Sequence, residues 1–155
     1  QVIHLNQSGT LRVTSDCAPP AEIINIPWFV LPPAMEYFYR QKHPEYKALP
    51  QVSPGCPVSK SIPVMEFIYP TTDIKIFIPR DQTGMLTRII PEVAHRNPSK
   101  KIFWHLDETY IGTTRYIHQI EMLAAAGNHV LTVVDEDGNT IRCGFTIISL
   151  NLSPS

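Results

Sequence analysis

A mainly β chain is the fold class this sequence predicts: a small β-sandwich at about 64–150, preceded by a proline-rich arm. Beyond Val64, short apolar runs alternate with turn residues at the spacing expected of a sandwich. Asp135-Glu136-Asp137-Gly138-Asn139 supplies hairpin chemistry between the last two of these runs. Fifteen prolines in 155 residues are nearly twice the usual frequency of about 5%, and their clusters mark the arm and a break before the sandwich.

The arm opens with Val2-Ile3-His4-Leu5, a polar stretch containing Gly9, and Leu11-Arg12-Val13-Thr14, which predicts a hairpin. After Pro19-Pro20, the run Trp28-Phe29-Val30-Leu31 leads into Pro32-Pro33 and a segment of Ala, aromatic and straight-chain residues. Proline suits a first helical turn and the following residues favour helix, so one short helix is expected at 32–42. The arm is assigned to 1–50 and an extended linker to 51–63, where prolines, serines and Gly55 occur without periodicity.

Candidate strands follow at 65–69, 75–78, 89–94, 101–106, 108–111, 119–122, 129–134 and 140–149. Period-2 alternation groups Leu131 with Val133, Cys143 with Phe145 and Ile147, and Ile102 with Trp104 and Leu106. All are placed in the core.

The apolar share of 43% and charged share of 17% fit a chain that folds, and a net charge of -1 lacks the basic excess that nucleic acid or an anionic membrane attracts. The longest apolar runs, such as 26–34, fall far short of the roughly 20 residues of a bilayer span. No membrane contact by this chain is therefore expected. A start at Gln1 without an initiator methionine or signal sequence suggests a processed piece of a larger protein.

Of the three cysteines, Cys143 belongs to an apolar row, whereas Cys17 lies in a loop and Cys56 in the linker. A Cys17–Cys56 disulfide is the favoured pairing and would close 39 residues, worth about 3–4 kcal/mol in the chain-entropy model. Three free thiols in a reducing compartment is the competing reading.

The six histidines have no i, i+4 pairing and no cysteine pair has metal-ligand spacing, so surface or edge-strand histidines, no metal and no cofactor are expected. The acidic run at 135–139 has its glycine one position early for a calcium loop, and Thr146 stands where the closing glutamate belongs. Neither Ser-x-x-Lys, Lys-Thr-Gly nor Gly-x-Ser-x-Gly occurs, and Ser149-Leu150-Asn151 alone is too short a match to carry weight. Adjacent Asp107 and Glu108 would point to opposite faces of a strand and cannot straddle one bond. The chain by itself is not expected to be an enzyme.

Aromatic residues carry what binding potential remains. Trp28, Tyr37, Phe38 and Tyr39 in the arm and Tyr110 and Tyr116 in the sandwich are the candidate binding surface, able to fill a partner's pocket or stack on sugar rings. The alternative is that they pack the arm against other parts of a larger protein.

Two stretches resemble a known family. Ser15-Asp16-Cys17, the run from Trp28 through Tyr39, His43-Pro44-Glu45-Tyr46 and Leu49-Pro50 resemble the region just after the transpeptidase domain in penicillin-binding protein 1C. Ile68-Tyr69-Pro70, the run from Ile102 through Asp107, Ile111-Gly112, the run from Gly127 through Asp135 and Phe145-Thr146-Ile147 are similar to that family's C-terminal domain, while 74–78 and 81–86 follow its pattern only loosely. The resemblance implies an immunoglobulin-like sandwich without chemistry of its own, part of a membrane-anchored bifunctional peptidoglycan synthase. The glycosyltransferase and transpeptidase domains of such a protein would lie upstream, so no catalytic residue is carried over. A periplasmic setting is implied, which supports the disulfide. Implied partners are the transpeptidase domain in cis and either an α2-macroglobulin-like protein or peptidoglycan. The expected role is structural or protein-docking; a glycan-binding module is the alternative, and a free-standing enzyme a third, weaker one.

Overall fold

The computed structural model describes residues 1–56, 62–79 and 86–150. The expected linker residues 57–61, most of the loosely matched turn at 81–86, and Asn151 lie outside the described residues. The chain divides into two compact units, Gln1–Pro63 and Val64–Ser155.

In the first unit, strand β1 (Val2–Leu5) pairs antiparallel with β2 (Ile24–Pro27). The hairpin turn expected after β1 forms as well. The Asn6 carboxamide oxygen accepts from the Thr10 and Leu11 amides, and Asn6 N–H donates to Leu11 O. Beyond the turn, Arg12 bridges Leu5 on one side and Val52 on the other. Strand β2 was not expected from the sequence, because it ends on Pro27 and its pairing with β1 is long-range. Helix α1 (Pro33–Lys42) falls where the proline start predicts, with Arg40 and Lys42 in the last turn suiting the helix dipole.

Ile3, Leu5, Leu49 and Ile62 form this unit's buried core, with Ile26, Trp28 and Val30 packed on it. Of the stretch expected to be an extended linker, Ile62 enters this core and Gln51 and Ser53 bond to Arg12. Ile62 is buried, Arg12 N–H donates to Gln51 O, Ser53 N–H donates to Arg12 O, and the Arg12 guanidinium donates to Pro50 O at 2.6 Å. The prolines at 50 and 54 read as coil, yet an extended strand-like path is also what a proline-rich segment offers to a neighbouring backbone.

The second unit is a β-sandwich. Its larger sheet orders β4 (Ile74–Pro79), β11 (Thr140–Leu150), β10 (Gly127–Asp135), β7 (Ile102–Leu106) and β8 (Thr109–Thr114). All neighbours in it are antiparallel except β4 and β11, which run parallel. Two smaller pairs complete the unit, β3 (Met65–Tyr69) with β6 (Glu92–His95) and β5 (Thr87–Ile89) with β9 (Met122–Ala124). A bridge between Glu92 and Gln119 connects β6 to the segment leading into β9.

One strand expected at 89–94 is two, because Pro91 has no N–H to donate. The strand expected at 119–122 starts at Met122 instead, where Met122 and Ala124 face inward and Leu123 outward. The alternating rows behave as period 2 requires: Ile102, Trp104, Leu131 and Val133 are fully buried, Cys143, Phe145 and Ile147 nearly so, and Leu106 packs on them half-buried.

Candidate docking surface and buried histidine network

Helix α1 presents Met35, Tyr37 and Phe38 to solvent, since a ten-residue helix resting on Pro33 and Glu36 can bury only one stripe. Tyr37 and Phe38 remain 42% and 52% exposed, and their rings meet edge-to-face at 5.1 Å. In a second group of rings Phe29, 61% exposed, meets Tyr39 at 5.9 Å and Tyr46 at 6.0 Å, both edge-to-face. Tyr39 also stacks on the His43 ring at 3.9 Å. Edge-to-face contacts of this kind are favourable beyond the area they bury. Trp28 differs from its neighbours: it is half-buried on the unit's core and donates its indole N–H to Lys47 O.

The structure thus gathers Tyr37, Phe38 and Tyr39 in the first unit and brings in Phe29 and Tyr46. Phe29 was absent from the expected surface, although its place between Trp28 and the helix start marks it as arm aromatic. Tyr110 and Tyr116, both exposed, belong to the sandwich instead. Tyr110 lies on the edge strand β8, its hydroxyl 2.5 Å from Thr113 Oγ1 and its ring edge-on to His105. Tyr116 takes a left-handed backbone, φ 67°, with the Arg115 guanidinium 5.1 Å above its ring. A tyrosine at positive φ is an uncommon conformation that its surroundings must impose.

Those surroundings include histidines, and the expectation of surface or edge-strand histidines is corrected at His118, which lies outside the strands. His118 is buried. Its Nε2 lies 3.0 Å from Pro98 O and its Nδ1 2.9 Å from Thr114 Oγ1, which itself accepts the indole N–H of Trp104 at 2.8 Å. The neutral ring with its proton on Nε2 satisfies every group: Trp104 donates to Thr114, Thr114 donates to Nδ1, and Nε2 donates to Pro98. Burial lowers the pKa of His118, the Pro98 carbonyl opposes this, and the nearby His95 lowers it further.

His95 is also buried at its side chain. It accepts the Asn97 amide at Nδ1 and faces the Asp135 carboxylate through Nε2 at 2.9 Å. Asp135, in the acidic run at 135–139, is almost fully buried and accepts further bonds from the amides of Asp137 and Asn139 and from the Asn139 side chain. Burial alone would raise its pKa, but the His95 and Asn139 hydrogen bonds outweigh it and the net shift is downward. A signal for Asp135 was available in the sequence, since alternation puts it on the same face as Leu131 and Val133.

A third histidine ties two turns together. His129 Nδ1 meets Asp107 Oδ2 and its Nε2 meets Ala125 O, both at 2.5 Å, while Asp107 Oδ1 accepts the Val130 amide. With an acceptor at each ring nitrogen, the doubly protonated ring satisfies both. Burial works against that charge, but Asp107 and the Ala125 carbonyl prevail and the His129 pKa is raised.

Cys17 and Cys56 form a disulfide with Cα atoms 5.5 Å apart, and Cys143 is a buried free thiol whose pKa burial pushes up. No group of three or more potential metal ligands occurs among the described residues.

By its architecture the second unit is a mainly antiparallel β-sandwich with one parallel strand pair. The chain belongs to the Penicillin-Binding Protein C-terminus Family, whose pattern matches residues 55–146. Among solved structures it is similar to Clostridium thermocellum CbhA fibronectin(III)-like modules, at 14% identity and TM-score 0.42 over 56% of this chain and 99% of that one. It is also similar to the Bacteroides ovatus mixed-linkage glucan utilization locus SGBP-B, whose structure holds a mixed-linkage heptasaccharide, at 13% identity and TM-score 0.37 over 58% of this chain and 25% of that one. No curated protein matches the chain. No helix among the described residues is long and apolar enough to cross a membrane.

Proposed function

We propose that this chain is the non-catalytic C-terminal module of a bifunctional, extracytoplasmic peptidoglycan synthase and that its arm docks on the transpeptidase domain of the same polypeptide. Membership of a penicillin-binding protein C-terminus family supports the parent. The observation that carries the docking reading is the exposure of Phe29, Tyr37 and Phe38 in the arm, each ring in edge-to-face contact with a neighbouring one. A sugar-stacking platform would favour coplanar rings, whereas the Tyr37 and Phe38 planes stand at 84°. Perpendicular rings suit a pocketed protein surface better than a flat saccharide face.

The test mixes the purified chain with the separately produced transpeptidase domain, with isolated peptidoglycan, and with an α2-macroglobulin-like protein. Binding to the transpeptidase domain that weakens tenfold or more in Tyr37→Ala/Phe38→Ala is expected, since each such anchor is worth upward of about 1 kcal/mol. Co-sedimentation with peptidoglycan that the tyrosine variants abolish would replace docking by glycan binding. Capture of the α2-macroglobulin-like protein alone would move the docking partner outside the polypeptide.

A further inference from the structure

The 115–118 turn, which carries the exposed Tyr116 and Ile117, is fastened to the 96–100 turn almost entirely by groups around His118. Tyr116 N–H donates to Pro98 O at 2.7 Å, His118 Nε2 meets the same oxygen, and Arg115 Nε donates to Ser99 O at 2.9 Å. The 96–100 turn is itself anchored inward through Asn97 N–H, His95 and Asp135. Ile117 is 75% exposed and contributes little packing, so the left-handed Tyr116 backbone depends on these hydrogen bonds.

We infer that the Trp104–Thr114–His118–Pro98 relay is an acid-released latch: protonation of His118 frees the 115–118 turn and withdraws the fixed presentation of Arg115, Tyr116 and Ile117. The relay accommodates one ring proton. A second proton, on Nδ1, obliges Thr114 Oγ1 to accept from both Trp104 and His118, and its own hydroxyl hydrogen then loses its acceptor. It also places a cation at a site 5% exposed, where water cannot solvate it.

Among the described residues no carboxylate acts on His118 to offset that cation. The titratable group acting on His118 is His95, ring centroids 6.3 Å apart. Asp135 lies beyond His95 and is already engaged by donors from Asp137, Asn139 and His95. Glu92, on β6, bridges Gln119 through backbone, and Lys100 pairs with Asp137. Arg115, on the turn itself, is directed to Ser99 O and the Tyr116 ring. The depressed pKa has the matching sign: the folded form binds the proton less readily than the open form. The latch is therefore fully closed above the open-state value of 6.5 and weakens as pH falls through the folded value. The inference rests on the sandwich alone and does not depend on the docking reading.

The experiment is a pH titration of the ¹⁵N-labelled chain by NMR from pH 8 downward, with Trp28→Phe assigning the two indole signals. The Trp104 indole N–H, the His118 ring and the Tyr116 amide are expected to shift with one midpoint, below 6.5. Exchange of the Tyr116 amide, corrected for intrinsic pH dependence, should accelerate up to about tenfold per pH unit across that window. His118→Gln, whose amide can both accept and donate, should abolish the titration. The inference is overturned if the indole and the amide stay unmoved while the His118 ring titrates, or if the transition survives in His118→Gln. Loss of the transition in His95→Gln alone overturns it too, as does collapse of every sandwich resonance at one pH. Should His118→Gln not fold, the coincidence of midpoints in the unaltered chain decides the matter.

Discussion

Trp104 lies opposite Gly112 in the β7–β8 hairpin, and its indole N–H reaches diagonally to donate to the Thr114 hydroxyl at 2.8 Å. The tryptophan is fully buried at the centre of the sandwich, so this bond links the core to the polar network at its edge. Thr114→Val keeps the shape but strands both the indole N–H and His118 Nδ1. A loss of about 1–3 kcal/mol is expected in urea unfolding followed by Trp104 fluorescence. An unchanged midpoint would mean that water replaces the hydroxyl.

Adjacent residues on β10 should respond oppositely to truncation. Leu131 is fully buried in the core and Val130 is 45% exposed. Leu131→Ala should cost about 2–5 kcal/mol, whereas Val130→Ala should stay within about 1 kcal/mol. Chemical denaturation of the two variants side by side checks the inward–outward assignment of the strand.

The disulfide spans 39 residues and closes the loop carrying β2, α1 and Leu49. Replacing both Cys17 and Cys56 by serine should destabilise the first unit by about 3–4 kcal/mol, read by the emission of Trp28. Full retention of stability would show that the reduced, unfolded chain already holds that loop together.

Asp107 and His129 predict a pH signature of the second unit. The Asp107 pKa is lowered: burial opposes its charge, but the bonds from His129 and the Val130 amide prevail. Its contribution is present above 3.8 and lost as pH falls through the folded value. The raised His129 pKa has the reverse sense, with a contribution complete below 6.5 that disappears as pH rises through the folded value. Unfolding measured at pH 6 and at pH 9 should show a larger drop for the unaltered chain than for Asp107→Asn. Equal drops would remove the pair from the pH dependence.

The sequence made the sandwich legible where one physical rule acts alone. Ile102 and Trp104, Leu131 and Val133, and Cys143, Phe145 and Ile147 alternate because one face of each strand is buried, and no later contact overrides that period. Legibility failed where the deciding partner is distant. Ile24–Pro27 becomes a strand through β1, some twenty residues earlier, and the 51–56 segment is ordered by Arg12. The histidine network was hidden for the same reason: Trp104, Thr114, Pro98 and His118 share no spacing, and only the fold brings them together. Among the arm aromatics, no local signal separated the exposed Tyr37 and Phe38 from Trp28, which packs on the first unit's core.

The parallel pairing of β4 with β11 sets an order of events during synthesis. Strand β11 is the last of the unit in sequence, yet it lies between β4 and β10. While the polypeptide is still emerging, β4 has no neighbour in the larger sheet and Ile74 and Ile76 no finished surface to cover. The sandwich closes only after residues 140–150 have left the ribosome. Nascent chains halted before residue 140 should lack a protected Trp104 indole, and chains extended past residue 150 should gain one.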